Sequence, residues 1–149
     1  MTDKEKSQRR YLPTLAELID RMTIVQLKMI FIPESREEFA AERADILHDV
    51  DVLLSESSAP VVSARAVLAV AMIQLTNRYI WENETLARRG GSEQDRLLKL
   101  THSINGVRNS WKNVLTEEMG GRFDRKVDCF ASELVAEFGN WDVVEGTKR

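Results

Sequence analysis

Residues 61–75 read VVSARAVLAVAMIQL, a run in which Arg65 is the only charged side chain. Pro60 precedes it and fits the first turn of a helix, where a missing N–H leaves nothing unpaired. From Val61 to Leu75 the helix is apolar on nearly every side, and a helix of that kind is a buried one. The reading is therefore a central third helix. Its polar end emerges from Gln74 onward, and Gly90-Gly91 terminates it.

The flanking sequence divides into further helices. A fourth starts near Ser92-Glu93 and runs to Gly120-Gly121, with an apolar stripe of Leu97, Leu100, Ile104, Val107, Trp111, Val114 and Leu115. Gly106 inside it costs about 1 kcal/mol relative to Ala, or permits a close helix contact. A fifth, from Phe123 to Phe138, carries Phe123, Val127, Phe130, Leu134 and Phe138 at the same spacing. Upstream, Pro33 separates two more. Thr14-Leu15-Ala16-Glu17 reads as a capping box opening helix one, and Ser35-Arg36-Glu37-Glu38 as another opening helix two. Helix one places Leu15, Leu18, Ile19, Met22, Gln26, Met29 and Ile30 at helical spacing, with a break near Arg21 left open. Helix two turns Phe39, Ile46, Val50, Leu53 and Leu54 inward. The run from Thr23 to Ile32 is the one place where a strand competes, and the helical spacing before it decides for helix. The expected fold is all-α, a bundle of four to five helices with a buried central third helix.

Composition sets the class. The 149 residues suit a single domain, and 43% hydrophobic with 30% charged is ordinary globular usage. Residues 1–10 read as a flexible leader, 11–140 as the domain and 141–149 as a tail. A net charge of −3 with scattered Lys and Arg gives no concentrated basic stripe, which argues against nucleic acid. One cysteine, Cys129, excludes an internal disulfide and fits a reducing compartment. The longest apolar run, Ala66 to Ile73, is far short of the roughly 20 residues of a membrane helix. No secretory signal follows the charged start, so the expected place is the cytoplasm, without membrane attachment.

The fourth helix holds the residues of chemical interest. His102, Asn105, Asn109 and Lys112 share one face, opposite Ile104 and Trp111. A solvated face is usually dense in Glu and Lys, whereas this one begins with uncharged hydrogen-bonding groups that are mediocre helix formers. Near the end of helix three, Gln74, Asn77, Trp81 and Glu84 share a face, and Arg78 with Glu82 forms an i, i+4 pair. Antiparallel packing across Gly90-Gly91 would bring Asn77 toward Asn105 or Asn109, with Asp20 or Thr23 joining from helix one. Two readings stand: a hydrogen-bond network that fixes helix register, or a pocket in which Asn and His read a polar ligand while Arg or Lys meets a carboxylate or phosphate.

A metal reading is the alternative. Glu38, Glu42 and Asp45 resemble in part the carboxylate helix of the MazG-type all-helical nucleotide pyrophosphatases, where paired acids hold magnesium against a triphosphate. The chain departs from that family's Glu-Glu-x-x-Glu spacing by one residue. Its nearest second motif, Trp81-Glu82-Asn83-Glu84, lacks the Glu-x-x-Asp pattern. Nucleophilic catalysis has little support, because neither His48 nor His102 is placed beside Cys129. His48 reads as a surface residue, Trp111 as core, Trp81 as core or pocket wall, and Trp141 as an anchor for the tail or a neighbouring subunit.

Three stretches carry a resemblance: Glu17 to Lys28, ELIDRMTIVQLK; Leu75 to Glu84, LTNRYIWENE; and Leu100 to Asn109, LTHSINGVRN. Across residues 11–135 the chain resembles small helical proteins of T4-like, marine-type bacteriophages. More remotely, it resembles a bacterial helical domain found beside polysaccharide glycosyltransferases. The resemblance implies a helical fold, a viral source with residence in the host cytoplasm, and a faint link to sugar-nucleotide metabolism. It singles out Asp20, Thr23, Asn77, Glu82, Asn105 and Asn109, and brings no assigned chemistry.

The expected function is a non-catalytic helical binding or assembly protein without a cofactor. Its candidate ligand residues are Asp20, Thr23, Asn77, Trp81, Glu82, His102, Asn105, Asn109 and Lys112, facing a polar small molecule or a protein partner. The alternative is a magnesium-dependent nucleotide or sugar-nucleotide hydrolase on Glu38, Glu42 and Asp45. The amphipathic last helix either completes the monomer core or pairs with its counterpart in a dimer, and the large Phe123, Phe130 and Phe138 stripe favours the homodimer slightly.

Overall fold

The computed structural model describes residues 11–56 and 62–122. The expected fifth helix with its phenylalanine stripe, Cys129, Trp141, Pro60 and the 1–10 leader lie outside the described residues. Four helices follow in order: α1 (Leu15–Phe31), a 3-10 turn (Pro33–Ser35), α2 (Arg36–Glu56), α3 (Ala64–Arg88) and α4 (Gln94–Met119). With no strand among the described residues, the fold is an all-α bundle.

Local chemistry explains the boundaries. Thr14 and Glu17 form the reciprocal box: Thr14 Oγ1 accepts from the Glu17 N–H at 3.3 Å, and Glu17 Oε2 accepts from the Thr14 N–H at 2.6 Å. The helix then runs unbroken through Arg21 and takes in the stretch from Thr23 where a strand competed. The second box does not form. Ser35 is spent in the Pro33–Ser35 turn, which feeds directly into α2 with Arg36 already in helical conformation. Helix α3 begins three residues later than Val61, because Ser63 is its cap and accepts from the Ala66 N–H at 3.0 Å.

Side-chain contacts give the directions. Lys28 Nζ lies 5.3 Å over the Phe39 ring while Arg21, two turns earlier on α1, meets Glu42 further along α2 at 2.6 Å, so α1 and α2 are antiparallel. Arg65 reaches Glu117 at 3.2 Å while Asn77 meets Arg108 at 3.0 Å, so α3 and α4 are antiparallel as well. The main core lies between α1, α3 and α4, where Ile73, Ile104, Trp111 and Leu115 are almost wholly enclosed. Each such aliphatic side chain contributes about 1.5–3 kcal/mol by leaving water. A smaller cluster of Leu18, Val25 and Ile46 joins α1 to α2.

Helix α1 packs against all three other helices, whereas α2 makes close backbone contact with α1 and the preceding turn alone. Helix α3 supplies Ala66, Ala69, Ile73 and Ile80 to the core. Among the described residues nothing covers its opposite side, with Val67 58% and Leu75 46% exposed. The nearly all-round apolarity of α3 is thus met by protein on one side, and α1 is the hub.

Candidate functional site

The polar core is built where α1, α3 and α4 cross. Asn77 uses both amide hydrogens, donating to Asp20 Oδ1 at 2.7 Å and to Thr23 Oγ1 at 2.7 Å. The Thr23 hydroxyl donates in turn to the Asp20 carbonyl at 2.8 Å. Asn77 Oδ1 accepts from Arg108 Nη1 at 3.0 Å. Lys112 Nζ stands 3.5 Å from Asp20 Oδ2, and Arg108 Nε lies 4.0 Å from Asp20 Oδ1, too far for a hydrogen bond. Asp20, Thr23 and Asn77 are buried, while Arg108 and Lys112 reach solvent at their edges.

Helix periodicity makes the meeting possible. Asp20 and Thr23 are one turn apart on α1, and Arg108 and Lys112 one turn apart on α4, so each pair presents a single face. Arg108 Nε is buried without a hydrogen-bond partner. Among the described residues one carboxylate thus serves two cations, and the cluster carries one formal positive charge in excess.

Four of the expected residues come together: Asp20, Thr23, Asn77 and Lys112. Asn105 and Asn109 are half-buried on the turns of α4 that carry Arg108 and Lys112. His102 is exposed to solvent and does not join, because it lies at the outer edge of the face that the other three share. Trp81 and Glu82 belong to a different cluster. Trp81 stacks on Phe31 with ring centres 5.8 Å apart, Arg78 caps the Phe31 ring at 4.6 Å, and Glu82 pairs with Arg78. These residues sit toward the C-terminal ends of α1 and α3, about one helical turn beyond Asn77.

Two residues were missed. Arg108 bridges Asn77 and Asp20, and its signal was its place four residues before Lys112 on the same helix. Asn83 is buried with its amide nitrogen unpartnered, and it continues the core spacing of Ile73 and Ile80.

The carboxylates proposed for magnesium are not grouped. Glu38 and Asp45 are exposed on α2, and Glu42 is bound to Arg21. On the second motif, Glu82 pairs with Arg78 and Glu84 with Arg88. Among the described residues no three His, Cys, Asp or Glu side chains are grouped to hold a metal ion. Arginines compensate Glu42, Glu82 and Glu84, and the spacing along α2 leaves Glu38 and Asp45 facing water.

Among the described residues no helix is long and apolar enough to cross a membrane. No family model, curated protein or solved structure matches the chain.

Proposed function

We propose that this chain is a non-catalytic helical binding protein whose site takes a small anion, through a carboxylate or phosphate group, at the edge of the polar core. The observation that supports this reading is the charge imbalance. Among the described residues Arg108 and Lys112 converge on Asp20 alone, and the buried Arg108 Nε has no hydrogen-bond partner. Excess buried charge is costly unless a counter-charge or hydrogen-bond acceptor meets it. An anion at the edges where Arg108 and Lys112 reach solvent supplies the counter-charge, and a planar guanidinium beside an ammonium suits carboxylate and phosphate oxygens. Asn105 is half-buried on the adjoining turn and offers an uncharged donor to the rest of the ligand.

The test is thermal unfolding in inorganic phosphate, acetate, nucleotides and sugar nucleotides at matched ionic strength. A ligand that binds only the folded state stabilises by RT ln(1 + [L]/Kd), so a millimolar affinity is visible. At least one anion is expected to raise the Tm with a saturating concentration dependence. Lys112→Met is expected to remain folded and lose the rise. A flat response to every anion would leave the network a purely structural device and sink the proposal.

A further inference from the structure

The described helices leave one large apolar surface uncovered. Because α2 makes no close backbone contact with α3 or α4, the space between α2 and α3 is an open groove of about 530 Å³, floored by Ile19 of α1. Its walls include Val50 and Leu54 of α2 and Val67 and Ala71 of α3, and Met119 of α4 lines it too. Val67 is 58% exposed and Val62, at the start of the same wall, 56%. A contiguous apolar surface of this kind marks a place where something docks.

The course of the chain points to the occupant. Gly120 and Gly121 have φ of 87° and 124°, a region that only glycine enters readily, and they carry the chain from Met119 to Thr14. Arg122 is anchored there. Its guanidinium donates to the Leu12 carbonyl at 2.7 Å and to Glu17 at 3.2 Å, and lies 3.9 Å over the Tyr11 ring. The hollow around Arg122 shares Leu15, Leu54 and Met119 with the groove, so the chain stands at the groove's end when it reaches residue 122. The sequence that follows places Phe123, Val127, Phe130, Leu134 and Phe138 at helical spacing.

We infer that the groove seats the chain's own residues 123–138, whose apolar stripe packs between α2 and α3 and completes the bundle. Lengths agree: at 1.5 Å per residue the stretch spans about 24 Å, and the α3 wall from Val62 to Gln74 spans roughly 18 Å. A tether of a few residues also holds the stretch at an effective concentration in the millimolar range, which favours the chain's own copy over a second one.

Hydrogen exchange on the full chain, with sedimentation to fix its mass, tests this. Amides of residues 123–138 are expected to be protected in a monomer. Val67→Glu with Ala71→Glu, both at exposed positions of α3, is expected to abolish that protection while the amides of Ile73 and Ile104 keep theirs. Phe130→Glu, which alters nothing in α1 to α4, is expected to do the same. An unprotected stretch in the unaltered chain would overturn the inference. So would protection that survives both sets of substitutions, because the stretch would then sit elsewhere. Protection that appears only as the mass doubles would overturn it in favour of a second copy. None of these readouts depends on anion binding.

Discussion

Asp20 joins three helices through its carboxylate, meeting Asn77 of α3 and the two cations of α4. It is the acceptor for Asn77 and, among the described residues, the only acid facing Arg108 and Lys112. Its removal and that of Lys112 are expected to have opposite signs. Asp20→Asn keeps the size but leaves two cations without compensation, and breaking such a mostly buried pair costs about 3 kcal/mol. Lys112→Met removes the surplus charge while keeping the packing of the stem, so stability in chloride buffer is expected to stay within about 0.5 kcal/mol or rise. Urea unfolding of the two variants at low salt decides. Equal losses would mean that Lys112 is held as a needed partner and that no charge is in excess. The sequence placed Asp20, Thr23, Asn77 and Lys112 in one neighbourhood through their spacing. It could not find Arg108, because an arginine beside valine on an amphipathic helix looks like a solvated charge until Asn77 is seen accepting from it.

At the scale of the element, caps and turns set where each helix begins, and they differ in how far they can be read. Thr14 and Glu17 satisfy each other within four residues, so the box is visible in the sequence and present in the fold. Ser35 had the same local pattern and lost to the Pro33–Ser35 turn, whose tight geometry leaves no free amide for it to cap. Ser63 was overlooked because Pro60 gave a stronger nominal start. Its hydroxyl both caps α3 and donates to Glu118 at 2.6 Å, tying the start of α3 to the end of α4. Ser63→Ala is therefore expected to cost about 1–2 kcal/mol, more than a cap alone in a peptide. Chemical denaturation of that variant beside Glu118→Gln, which keeps a hydrogen-bond acceptor, separates the cap from the tie. A loss under about 0.3 kcal/mol for Ser63→Ala would show that neither matters.

At the scale of the molecule, stability is uneven because the helices are unequally covered. Helices α3 and α4 share the enclosed core of Ile73, Ile104 and Trp111, whereas α2 buries Ile46 alone and leans on α1. Native-state hydrogen exchange is expected to show α2 opening at a free energy several kcal/mol below that of the α3 and α4 core. A single common opening free energy for all four helices would contradict that hierarchy. The groove beside α2 is the same inequality seen from outside. The helical class, the four described segments and the chemical character of the polar residues were determined by the sequence itself, because helix periodicity, capping and burial of apolar stripes act over a few turns. Only the tertiary structure decided the rest. Among the described residues it showed that α1 is the hub, that the apolar α3 has an open side, that Glu42 pairs with Arg21, and that Trp81 stacks on Phe31 away from Asp20. Those outcomes depend on which helix faces meet across distances that local spacing does not encode.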